Sequence, residues 1–143
     1  MADYLSQILN QYRPQKTMKR VFISFHMDDL YAKNLLVEQA KSDKFDLEFV
    51  NYAINEPFET KWKTQCEERI NQTSVTICLI GKQTYSRGAV IWELEKSYEL
   101  GKAVIGILIH RGIQVYCPLP IFQHKSPVYY WHIPTIVSVL NSI

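Results

Sequence analysis

Three short, nearly unbroken apolar runs constrain this chain more than anything else in it: Val21-Phe22-Ile23-Ser24-Phe25, Val75-Thr76-Ile77-Cys78-Leu79-Ile80, and Ala103 to Ile109. Each has the length of a strand. None alternates apolar with polar residues, as a strand with one wet face would, so each must be covered on both sides. Segments of helical periodicity lie between them, and strands alternating with helices call for a parallel sheet with helices on both faces. The fold class predicted is α/β, doubly wound: a flavodoxin-like three-layer sandwich around a central, mostly parallel five-stranded sheet.

The order of elements follows from the same patterns. Tyr4, Leu5, Ile8, Leu9 and Tyr12 share one face of a short N-terminal helix that Pro14 closes. After the first strand, Asp28 or Asp29 is placed to cap a helix running to about Lys41, with Ala32, Leu35, Leu36 and Ala40 inward. Phe45 to Val50 reads as a second strand, Asn51 to Glu59 as a loop, and Trp62, Cys66 and Ile70 mark the buried stripe of a polar helix. Behind the strand ending at Gly81, Ser86 is placed to cap a helix that reaches Leu100 and stops at Gly101. After the strand ending at Ile109 the chain is punctuated by Pro118, Pro120 and Pro127; an edge strand is expected at Val128 to Trp131 and a terminal helix at Pro134 to Leu140.

Composition removes several functional classes. The chain has 143 residues, the size of one domain, with 47% hydrophobic and 21% charged residues. Sixteen basic and fourteen acidic residues leave a net charge of +2 with no dense basic block, so no nucleic-acid partner is indicated. Cys66, Cys78 and Cys117 fit neither a disulfide framework nor a zinc pattern and read as reduced thiols, with no metal site. The N-terminus lacks the pattern of a signal peptide and no apolar run approaches the ~20 residues of a membrane span, so a soluble, cytoplasmic protein away from the membrane is expected.

In open α/β sheets, ligands bind beyond the carboxyl ends of the strands where strand order reverses. For the order 2-1-3-4-5 that crevice is walled by Ser24 to Asp29 and by Gly81 to Arg87. The helix after the third strand adds a carboxylate. Val90, Ile91, Leu94, Tyr98 and Gly101 cluster on the face expected to meet the sheet, while Glu95 and Glu99 face water. Glu93 flanks the buried stripe roughly 110° from its centre, beside Ser97 and near the positive end of the helix. Partly buried there, it would point at the crevice, although helix geometry alone slightly favours a rim glutamate paired with a Lys or Arg.

The ordered set Val21-Phe22-Ile23-Ser24-Phe25, Ser74 to Gly81, Tyr85-Ser86-Arg87, Trp92-Glu93-Leu94-Glu95-Lys96 and Glu99-Leu100-Gly101-Lys102 resembles the TIR-like domains of bacterial anti-phage defence, in particular those of the Thoeris system. The resemblance spans residues 19–112 and divides the chain into a helical extension, 1–18, and a TIR-like domain, 19–143. It implies an enzyme that consumes NAD as substrate and holds no cofactor, with Glu93 as the catalytic carboxylate. The family's tryptophan stands four residues before that glutamate; here Ala89 occupies the position and Trp92 is adjacent instead, a departure that bears on the nicotinamide pocket. The resemblance further implies NAD contacts from Ser24, Phe25, His26 and Asp29 in the first loop, from Asn51 in the loop that covers the pocket, and from Tyr85 and Trp92. It also implies a cyclic ADP-ribose isomer as a diffusible signal to a separate effector. A phage-derived trigger and a homo-oligomer complete that expectation.

One carboxylate is enough for this chemistry. Glycosidases ordinarily use two, because a leaving oxygen must be protonated while a second group handles the sugar cation. The nicotinamide of NAD is already cationic and needs no general acid, so one carboxylate can hold the ribose hydroxyls and stabilise the oxocarbenium charge. In a dry pocket an internal ribose hydroxyl would capture the cation and close a ring. The main rival is a non-catalytic TIR-like interaction module. A nucleoside-processing glycosyltransferase, also using a helix glutamate, is a minor alternative. A phosphoacceptor receiver fits Asp28-Asp29 but requires an Asp where Ile80-Gly81-Lys82 stands. Of the histidines 26, 110, 124 and 132, only His26 is kept as a candidate, and Tyr129, Tyr130 and Trp131 read as core or a subunit contact.

Overall fold

The structure is a computed structural model that describes residues 19–40, the backbone of 45–48, and 60–143. The expected helix in the 1–18 extension and the loop from Asn51 to Glu59, Asn51 included, lie outside the described residues. The described chain forms β1 (Lys19–Ser24), α1 (Leu30–Gln39), β2 (Phe45–Glu48), α2 (Thr60–Asn71), β3 (Val75–Ile80), α3 (Gly88–Glu99), β4 (Ala103–Leu108), α4 (Leu119–Gln123), β5 (Val128–Tyr130) and α5 (Ile133–Ser142). The five strands lie in the order β2-β1-β3-β4-β5 and every pair is parallel. This is the predicted sheet and strand order.

Successive side chains of a strand point to opposite faces, and that alternation sorts the core into two layers. Val21, Ile23 and Phe25 pack on one face with Ala32 and Leu36 of α1 and Ile136 and Leu140 of α5. Phe22 goes to the other face, where it meets Trp62, Cys66 and Ile70 of α2. Cys78 and Ile80 share that second face with Val90 and Leu94 of α3 and Ile121 of α4. Gly106 in β4 leaves room for the side chains of its neighbouring strands: a Cβ there would lie 2.9 Å from Ile80 Cδ1 and 3.1 Å from Val128 Cγ2. Lys19 ties β1 to the C-terminal end of α5 by donating to the carbonyls of Leu140, in its last turn, and of Ile143, just after it.

Several local expectations are corrected. Neither Asp28 nor Asp29 caps α1; a 3₁₀ turn, Met27–Asp29, precedes it, and Asp29 stands at the N-cap without a side-chain cap bond. Its carboxylate turns inward to Thr84 instead. Leu35, expected inside, is 45% exposed, and Lys33 is buried in its place against Phe25. Ser86 does not cap α3: it donates to the Gln83 carbonyl inside the 3₁₀ turn Thr84–Ser86, and the helix begins at Gly88. Gly101 is exposed rather than on the sheet, and its positive φ of 73° ends α3. The amides of Gly101 and Lys102 donate to the carbonyls of Tyr98 and Ser97, a Schellman pair that satisfies the end of the helix. The irregular C-terminal stretch also contains α4, which starts behind Pro118 with Pro120 in its first turn.

Candidate functional site

The buried stripe of α3 is Val90, Glu93, Leu94 and Ser97. Glu93 is therefore in the stripe and not at its edge, with no exposed surface at all. The expectation of partial burial fails because a carboxylate is ordinarily too costly to bury, and the fold here supplies the donors that offset the cost. Ser24, the last residue of β1, donates its hydroxyl to Glu93 Oε1 at 3.0 Å. Cys66 of α2 donates its thiol to Oε2 at 3.8 Å. Burial, followed by the charge and hydrogen bond of Glu93, pushes the Cys66 thiol far up, so it remains a protonated donor.

The backbone around Glu93 is pinned as firmly as its side chain. Ser97 donates its only hydroxyl proton to the Glu93 carbonyl at 2.8 Å, so the Thr76 hydroxyl of β3 must be the donor in the 2.8 Å bond that joins it to Ser97. Thus β1, β3, α2 and α3 all converge on one residue. Trp62 and Trp92 close the neighbourhood with ring centroids 5.4 Å apart, and the ammonium groups of Lys96 and Lys63 lie 5.5 and 5.9 Å from the Trp92 ring centre.

The other predicted residues do not all gather at Glu93. Strand alternation splits the first loop, sending Ser24 to the α2/α3 face and Phe25 to the core on the α1/α5 face, where it is 2% exposed. His26 and Asp29 meet in a separate hollow of about 230 Å³, walled also by Asp28, Tyr31, Lys82, Gln83 and His110. There His26 Nε2 lies 3.3 Å from Asp28 Oδ2. Asp29 forms the floor: the Gly81 amide donates to Thr84 Oγ1 at 2.8 Å, and Thr84 faces Asp29 Oδ2 at 3.4 Å. Gly81 is required there, since a Cβ would stand 2.3 Å from Asp29 Oδ2. Burial raises the Asp29 carboxyl above its usual range, opposed by the Thr84 hydroxyl and by His26 and His110. Tyr85 is 42% exposed and leans on Tyr116 with centroids 5.1 Å apart, while Trp92 borders Glu93 in sequence and in the wall against Trp62.

Two participants were missed in the sequence. Cys66 was read only as one of three reduced thiols, although its place on the stripe with Trp62 and Ile70 already aimed it at the sheet. His110 was set aside as a loop histidine; its position directly after a buried strand was the signal that it stands at the carboxyl end of the sheet.

A family profile described as Thoeris protein ThsB, TIR-like domain, matches residues 22–112, well over half of the chain. A Bacillus cereus (strain MSX-D12) protein named "Putative cyclic ADP-D-ribose synthase ThsB1" is 35% identical over 101 residues, which cover 64% of this chain and 52% of that one. The chain thus spans about half the length of that relative. The solved structure of Clostridium botulinum CMP N-glycosidase, BcmB, has a TM-score of 0.52 at 17% identity, covering 86% of this chain and 98% of that chain, a likeness of fold. Among the described residues no helix is long and apolar enough to cross a membrane. The matched segment spans β1 to the end of β4 in the observed sheet, and the chain belongs to the ThsB TIR-like domain family of the Thoeris system.

Proposed function

We propose that the chain cleaves the nicotinamide–ribose bond of NAD, with Glu93 as the carboxylate at the reacting ribose. The observation that carries this reading is a fully buried carboxylate on α3 whose two oxygens are held by the Ser24 hydroxyl and the Cys66 thiol. Both are neutral donors with the chemistry of sugar hydroxyls, so the ribose diol can take their places without leaving the charge unpaired. Because Glu93 has no exposed surface, substrate reaches it only as the groups around it part. Nicotinamide then departs with the electron pair of its bond to C1′, as a neutral base. Glu93, in a water-excluded setting, stabilises the positive charge left on the ribose. Capture by an internal ribose hydroxyl, which gives up its proton, yields a cyclic ADP-ribose isomer; capture by water yields ADP-ribose.

The relative's name supports the cyclic outcome. On this reading the product is a diffusible signal in the cytoplasm for a separate effector, and a phage-derived trigger and self-association of the chain govern its release. The test is to incubate NAD with the wild-type chain and with Glu93→Gln in the presence of extract from phage-infected cells that lack the chain, following nicotinamide by chromatography and the nucleotide product by mass. Wild type is expected to release nicotinamide and form a product lighter than ADP-ribose by one water. Glu93→Gln, folded by thermal denaturation, is expected to release none above background. If Glu93→Gln and Glu93→Ala keep full phage protection in cells, the chain acts as an interaction module and the enzymatic reading fails. Release of base from free nucleosides in preference to NAD would move the activity to another substrate class.

A further inference from the structure

The acidic residues of the chain stop at Glu99. Residues 100–143 carry Lys102, Arg111 and Lys125 but no Asp or Glu, a formal charge of +3. The other thirteen basic residues and all fourteen acidic ones lie in residues 1–99, which leaves that part at −1. The acid-free stretch also exposes large apolar side chains. Ile113, Tyr116, Leu119, Phe122, Val128 and Tyr130 all come from the segment between β4 and β5 or from β5 itself. Tyr116, Phe122 and Tyr130 are each about two-thirds exposed, and three such rings present roughly 400 Å². That alone matches the largest apolar patch of a typical monomer, the kind that marks an interaction site. Ile113 and Tyr130 also wall one hollow of about 390 Å³ with Leu108 and Val115.

The patch adjoins an open strand edge. β5 ends the sheet, and no further strand follows it among the described residues. The Pro127 carbonyl accepts from the Gly106 amide and the Trp131 amide donates to the Leu108 carbonyl, so residues 127, 129 and 131 face β4. Val128 and Tyr130 alternate with them and turn their amides and carbonyls to the outer edge. Their side chains share the α4 face of the sheet, since Val128 Cγ2 and Ile121 Cδ1 both lie close to where a Gly106 Cβ would stand. Exposed Lys125 precedes this edge, and the Arg111 guanidinium sits over the Tyr130 ring, 5.4 Å from its centre. A lipid surface would leave the outward amides and carbonyls without partners. A second copy, pairing β5 with β5, would gather Lys125 and Arg111 of both chains on one seam with no acidic residue of 100–143 to meet them. An acidic, extended segment satisfies the edge, the apolar side chains and the cations together.

We propose that the β5 edge and the apolar surface beside it dock an acidic, extended segment of another protein, which pairs with Val128 and Tyr130 as an added strand. The surface does not depend on the reading of Glu93. The probe is a fluorescein-labelled peptide in which valine alternates with threonine between two pairs of glutamates. The same peptide with lysines in place of the glutamates is the control. Titration of the full chain, followed by fluorescence anisotropy, is expected to show one glutamate peptide bound per chain, about tenfold or more tighter than the lysine peptide. Amide hydrogen exchange at Val128 and Tyr130 should slow in the complex, as pairing of the edge requires. Phe122→Ser and Lys125→Glu, both exposed changes whose folding is checked by thermal denaturation, should each weaken binding about fivefold or more. Glu93→Gln should bind as wild type does, whether or not it releases nicotinamide. The proposal is overturned if the two peptides bind equally, if neither saturates at millimolar concentration, or if exchange at Val128 and Tyr130 is unchanged. It is also overturned if Phe122→Ser abolishes a dimer seen by sedimentation without peptide, or abolishes binding to phosphatidylglycerol vesicles. Either result would assign the surface to a second copy or to lipid.

Discussion

On the α2/α3 side of the sheet, Glu93 is sealed from solvent and met by donors from β1 and α2, while its carbonyl is tied through Ser97 to β3. On the α1/α5 side, the hollows walled by Tyr31, Lys82 and His110 are open, with Tyr31 56% exposed and Trp131 half-buried against the core. Both regions grow from the same strand end, one residue apart: Ser24 turns to the first and Phe25 to the second. The difference teaches that a carboxylate can be buried completely when donors from several elements converge on it, whereas the hollow on the other face leaves most of its lining side chains open to solvent. The closed region should therefore answer to stability measurements far more than the open one.

The largest stability effect is expected on the closed side. Trp62→Ala deletes a fully buried ring between α2 and α3 and should cost about 3–5 kcal/mol in urea unfolding. Tyr31→Ala in the open crevice should stay within about 0.5 kcal/mol. Equal losses from the two would erase the contrast. Gly81→Ala comes next. Its Cβ would press on the Asp29 carboxylate, at a cost of about 1–3 kcal/mol. Adding Asp29→Ala should recover part of that loss; simple additivity would mean that the strain lies elsewhere.

Much of this architecture was legible in the sequence because the buried strands announced themselves. Val75–Ile80 was found to the residue, and apolar runs alternating with helical segments sufficed for the parallel order β2-β1-β3-β4-β5. The caps were misread for a shared reason. Asp29 and Ser86 have the right chemistry for an N-cap, but each found a tertiary or local partner first, Thr84 for one and the Gln83 carbonyl for the other. Glu93 was identified as a candidate but set at the rim. Periodicity treats a carboxylate as a surface group, and only the fold shows Ser24 and Cys66, 69 and 27 residues away, waiting beneath it. Leu35 was misplaced for the converse reason: an apolar residue on a helix need not be covered when it walls a cavity.

Smaller effects sharpen the comparison further. Ser24→Ala removes the hydroxyl donor to a buried carboxylate and should cost about 2 kcal/mol. A neutral outcome would mean that Glu93 does not depend on Ser24 in the closed state. The smallest effect is pH-dependent and belongs to Asp29. Burial raises its folded pKa above the usual 3.8, so the fold favours the protonated form. The stability this group contributes is full below the unfolded pKa and is lost as pH rises through the folded one. Asp29→Asn, which stays neutral, should therefore gain in thermal stability relative to wild type as pH rises from about 4 toward neutrality, and a gap that shrinks instead would contradict the raised pKa.

The most direct test of the chemistry assigned to the closed region is the rate of nicotinamide release from NAD in extracts of phage-infected cells carrying the wild-type chain or Glu93→Gln. A carboxylate that stabilises charge at the reacting ribose predicts a fall of about 10²–10³-fold or more, with the variant still folded and present at wild-type level. Equal release from the two would contradict it.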